Sequence, residues 1–177
     1  MGAWGRLLMG SVLLLTACTT AGGAATPVDA PTSTASATAA AGCGARIETG
    51  SLPDWADAGF RGDTRIPHVF GAQGDIVAVL FAHPLAQVRQ DKSNNKILWV
   101  SRRAPTLSEA TSPKPLEITA TLDGTDTRVI REVAGGPGPS IIDMPRAGCW
   151  HLELRWSGHT DTMDLVYLDR LPQTRRP

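Results

Sequence analysis

Four side chains near the C-terminal end, Met144, His151, His159 and Met163, combine imidazole and thioether groups, a ligand set that suits a soft metal such as copper. The competing account is plain: methionine fills cores and a loop histidine is solvated, so no metal ligand is assigned. His159, Asp161 and Asp164 also offer hard ligands, but three polar residues around a turn are ordinary turn chemistry. A hydrolytic site needs a nucleophile. Ser140 with His68 and His83 is the set the sequence offers, yet Ser140 follows Pro139 and Ser157 sits in Trp-Ser-Gly-His, so neither lies in Gly-x-Ser-x-Gly. No catalytic residue is assigned. Gly135 to Ser140 has the glycine content of a phosphate loop but lacks Gly-Lys-Ser/Thr, and two prolines remove amide donors, so no cofactor is expected there. Trp55, Trp99, Trp150 and Trp156 could form a platform for sugars or peptides; where tryptophan alternates with leucine, core packing is the better account.

Most of these residues must be positioned by one stretch, Asp143 to Leu168. Trp150, Leu152, Leu154 and Trp156 alternate with His151, Glu153, Arg155 and Ser157, the period of a strand with one buried face. A hairpin follows. With Gly158 to Asp161 as a four-residue loop, Trp156 faces Met163, Leu154 faces Leu165, Leu152 faces Tyr167, and Arg155 meets Asp164 on the outer face.

The rest of the chain supplies more strands. Ile66 to Phe70 is predicted as an edge strand because Pro67 removes a ladder donor. Ile76 to Ala82 is a continuous apolar run, as a strand covered on both faces requires. Lys96 to Arg102, Leu116 to Leu122, Thr127 to Val133 and Ser140 to Met144 follow, with Asp123-Gly124 closing a second hairpin and Ala104 to Pro115 a loop. Trp55 and Phe60 are expected to cap one end of the core after a helical turn at Pro53. Short strands without helical periodicity predict an all-β fold, an antiparallel immunoglobulin-like β-sandwich of seven to nine strands, with a small β-barrel as the alternative.

The chain has 177 residues, 17 Lys plus Arg and 17 Asp plus Glu. Such a balance gives no global field to steer nucleic acid, and the Arg102-Arg103 and Arg175-Arg176 pairs lack an aromatic platform, so no nucleic-acid partner is expected.

The N-terminus has Arg6, an apolar run from Leu7 to Leu15 and then Leu15-Thr16-Ala17-Cys18. This resembles a bacterial secretion signal ending in a lipobox, and the run is shorter than the roughly 20 residues a permanent span needs. The resemblance to bacterial lipoproteins implies that residues 1–17 are removed and that Cys18 carries a diacylglyceryl thioether, placing the protein on the extracytoplasmic face of the cell membrane. Residues 18–42 are almost entirely Thr, Ala, Ser, Gly and Pro, a tether spanning about 25 to 30 Å. With Cys18 given to lipid, Cys43 and Cys149 remain in an exported chain, where one disulfide is the favoured reading beside a free thiol or an intermolecular bond. The expected domain is residues 43–171, with 172–177 a disordered tail.

Pro67-His68-Val69, Gly74 through Phe81 to Pro84-Leu85, Asn95 to Val100, Gly136 to Ser140, and Pro145 through Gly148-Cys149-Trp150 together resemble a group of actinobacterial lipoproteins that close on a Gly-Cys-Trp hairpin. The resemblance implies location and fold and carries no activity. The expected function is a non-enzymatic, lipid-anchored envelope module binding a protein, peptide or glycan through loops at one sandwich end. The alternatives are an envelope hydrolase around His68, His83 and Ser140, and a copper-binding protein.

Overall fold

The computed structural model describes residues 43–171 apart from 58, 59, 61, 62, 92, 104 and 105. The leader, Cys18, the tether and the tail expected at 172–177 lie outside the described residues. The described elements are α1 (Asp54–Asp57), β1 (His68–Phe70), β2 (Ile76–Leu80), β3 (Leu85–Val88), β4 (Lys96–Ser101), α2 (Leu107–Thr111), β5 (Leu116–Leu122), β6 (Arg128–Val133), β7 (Pro139–Ile141), β8 (Gly148–Trp156) and β9 (His159–Arg170).

Two sheets form, in the orders β1-β2-β4-β7 and β3-β9-β8-β5-β6. With β4 to β9 taken as strands B, C, C′, E, F and G, and β2 as A, the neighbours A-B-E and G-F-C-C′ follow the immunoglobulin arrangement. The all-β sandwich expected from the short strands and turns is therefore the fold. One pair departs from an all-antiparallel sheet. β3, which the alternation did not reveal, crosses to the second sheet and runs parallel to β9, with Leu85 opposite Tyr167 and Val88 opposite Arg170. Residues 107–111, expected in a loop, form the short helix α2.

The main core fills the space between the sheets, and Trp99, Trp150, Tyr167, Ile118, Leu152 and Leu154 are among its fully buried members. Every residue of β2 is buried. Ile76, Ala78 and Leu80 face that core, whereas Val77 and Val79 pack on the other side against Leu52 and Ala56, with Trp55 and Phe60 alongside. Trp55 and Phe60 thus cover the outer face of the four-stranded sheet instead of capping an end, and this second layer is why β2 reads as an unbroken apolar run.

The β8–β9 hairpin keeps the predicted inward set but not the predicted register. Trp156 pairs with His159, Leu154 with Asp161, Leu152 with Met163 and Trp150 with Leu165, around a two-residue loop of Ser157 (φ 44°) and Gly158 (φ 79°). Positive φ at both positions is the type I′ turn, whose twist matches that of the strands. A shift by an even number of residues keeps every side chain on its own face. On the outer face His151, not Arg155, stands opposite Asp164, and its Nδ1 lies 2.7 Å from the Asp164 carboxylate.

Cys43 and Cys149 form a disulfide with a Cα–Cα distance of 5.5 Å, tying the first described residue to the start of β8. Asp164 adds to this junction by accepting the Gly44 amide at 3.0 Å.

Candidate functional site

At the hairpin tip the two sheets leave a groove of about 360 Å³ between β4, the Gly135–Gly138 bend and the Trp156–His159 turn. Its walls follow from local chain behaviour. β7 pairs with β4 only from Lys96 to Leu98, because Pro139 opposite Leu98 has no N–H and the chain turns away through Gly135 and Gly136, both at positive φ. The second half of β4, Trp99 to Ser101, is left as one wall of the groove.

Trp99 and Trp156 stiffen the site. Trp99 Nε1–H donates to Ser140 Oγ at 3.0 Å, and Trp156 Nε1–H donates to Ser101 Oγ at 3.1 Å, so the second bond joins the two sheets. Both indoles are almost fully buried, which leaves only their edges to the groove. The His159 ring lies 5.8 Å from that of Trp156.

The charge of the groove has one sign. Arg103, Lys114 and His159 line it, and among the described residues no lining residue is acidic. Lys114 forms no ion pair among the described residues, and Arg103 makes one long contact, Nε to Asp75 Oδ1 at 3.9 Å, while its side chain is 63% exposed. Such a contact is largely screened. The arrangement can hold an anionic group beside aromatic surface, and the sequence signal for it was scattered: Arg103, Lys114 and His159 are separated along the chain and meet only through the sheet order.

The sets proposed for chemistry do not assemble. His68 lies on β1 and Ser140 on β7, the two edges of the four-stranded sheet, so about 14 Å separates their main chains. His68 is buried and its Nδ1–H donates to the Ile66 carbonyl at 2.7 Å, while the Ser140 hydroxyl is engaged by Trp99. His83 sits in the connection between β2 and β3, where partial burial lowers its pKa from the ordinary histidine value.

Among the soft-metal candidates, His159 and Met163 are four residues apart on β9, about 13 Å along the strand. Met144 and Met163 are buried in the core and His151 is on the outer face bonded to Asp164. The hard-ligand trio fails similarly. Asp161 is buried and accepts the amides of Gln73, Asp75 and Thr162, whereas Asp164 serves His151 and Gly44 on the opposite face. Among the described residues the one cluster with metal-ligand spacing is Cys43, Cys149 and Asp164, and its two sulfurs are bonded to each other.

Compared with protein-family models, curated proteins and solved structures, the chain matches none of them.

Proposed function

We propose that the protein is a lipid-anchored cell-envelope module that binds a partner through the groove at the hairpin tip and performs no chemical turnover. One observation carries this reading. Cys149, which receives the tether side of the chain through Cys43, and Trp156, which borders the groove, are the two ends of β8. They are seven positions apart along the strand, about 24 Å. In a chain anchored at Cys18 the tether therefore joins the domain at the end of β8 remote from the groove, so the attachment point does not cover it. The groove's rigid tryptophans and exposed cationic rim suit recognition, and the separation of His68 from Ser140 gives no support to a hydrolytic site.

Fractionation and site-specific crosslinking test the reading together. Cys18→Ser should move the chain from the membrane to the soluble fraction. A photoreactive residue at Ser157 should yield a discrete adduct in intact cells that Lys114→Glu abolishes, and the same group at Val88, exposed on β3 at the other end, should not. Equal labelling from both positions, or retention of the Cys18→Ser chain on membranes, would overturn it.

A further inference from the structure

The free half of β4 has a directional pattern. Phe81 N–H donates to the Lys96 carbonyl and Arg102 N–H to that of Asp75, so the even-numbered residues of β4 carry the bonds to β2. The odd-numbered main-chain groups consequently point toward β7. Ile97 faces Ser140 and Trp99 N–H donates to the Gly138 carbonyl at 3.1 Å, but there β7 has ended. The Trp99 carbonyl and the N–H and carbonyl of Ser101 are left facing the groove with no partner from β7. A donor and acceptors at two-residue spacing, about 7 Å apart, form the template that an additional strand pairs with.

We infer that the groove takes an acidic peptide in extended conformation, added as a strand beside Trp99–Ser101 with its carboxylates toward Lys114, Arg103 and His159. This rests on the binding-module reading. Charge complementarity selects an acidic occupant, since the described lining residues include three basic groups and no acid. The strand edge selects a peptide over an acidic glycan, which would meet the charges and leave the main-chain groups unpaired. A second copy of this chain fits less well: its exposed edge strand β6 carries Arg128 and Arg131. Arg131 already covers that edge, donating to the carbonyls of Ile130 and Asp143.

The full chain in detergent, isotopically labelled, is titrated with the capped peptide Thr-Val-Glu-Val-Asp-Val-Thr. Saturable binding is expected, with the Ser101 amide shifted and its hydrogen exchange slowed at least tenfold. The peptide with Gln and Asn for Glu and Asp, and the double variant Arg103→Glu with Lys114→Glu, should each weaken binding at least tenfold at low salt. Methylating the nitrogen of the central Val should weaken it at least fivefold, because one strand bond is removed. Both substitutions are at exposed side chains, and an unchanged thermal midpoint verifies folding. Binding that depends on charge but ignores N-methylation, or that an oligogalacturonate reproduces with equal affinity, overturns the strand proposal. Absence of binding overturns it too, and the Ser157 crosslink then separates the cases: an adduct preserves the module reading, and no adduct ends both.

Discussion

Asp161 and Gly71 meet so closely that a methyl group on Gly71 would overlap the Asp161 carboxylate. The carboxylate occupies that space in order to accept the amides of Gln73 at 2.9 Å and Asp75 at 3.1 Å, and so anchors the turn between β1 and β2 onto β9. Asp161→Ala is expected to destabilise the protein by about 1 to 3 kcal/mol, because two part-buried turn amides lose their charged acceptor. Gly71→Ala should lose roughly 1 to 3 kcal/mol through overpacking alone. Urea denaturation measures both. A double variant no worse than Asp161→Ala alone would show that the two positions act through one contact.

The disulfide gives a second expectation. Cys43 and Cys149 are separated by 106 residues, and on the chain-entropy model a loop of that size stabilises the fold by roughly 3 to 5 kcal/mol. Replacing both cysteines by serine should remove that amount in chemical denaturation. A loss below about 1 kcal/mol would mean that the unfolded chain is already constrained near this junction.

The same hairpin shows what the sequence makes legible and what it hides. Alternation alone identifies Trp150, Leu152, Leu154 and Trp156 as inward-facing, because that pattern depends on the period of the strand and not on its partner. The register depends on the partner. Matching apolar residues favours a four-residue loop that sets Leu154 against Leu165, whereas the observed pairing of Leu154 with Asp161 depends on amides from residues 73 and 75 that satisfy the carboxylate and that nothing local announces. The Ser-Gly turn is also a weaker signal than Asn-Gly. β3 was hidden for a related reason: Leu85–Val88 is four residues long and its pairing to β9 is parallel and distant in sequence. The Cys43–Cys149 pairing was recoverable by counting cysteines, whereas the groove's basic rim exists only after the sheets have formed.

Turn chemistry leads to a stabilising change. Ser157 holds φ at 44°, a conformation that disfavours most L-residues and that asparagine tolerates better. Ser157→Asn should raise stability by about 0.5 to 1 kcal/mol without altering the pairing of Trp156 with His159. A rise in the urea midpoint with unchanged m-value is the expected signature. A fall would indicate that the Ser157 side chain has a role in the groove it lines.

Tyr167 predicts how stability responds to alkali. Its hydroxyl donates to the Ile142 carbonyl at 2.7 Å, and the ring is buried between the sheets. Burial, assisted by the negative charge of Asp143 and opposed by Arg131, raises its pKa well above the ordinary tyrosine value. The sign follows from linkage. Above about pH 10 the unfolded chain releases this proton while the native state retains it, so the native state binds more protons and stability falls as pH rises. The slope from this group approaches about 1.4 kcal/mol per pH unit until the native pKa is reached. Tyr167→Phe should lose roughly 1 kcal/mol at pH 7 through the missing hydrogen bond, yet should be free of that slope, so the gap between variant and parent narrows from pH 10 to 11. Denaturation at pH 7, 10 and 11 reads the difference between the two proteins, in which lysine titration cancels. A constant gap would mean that the Tyr167 hydroxyl reaches solvent in the native state and ionises normally.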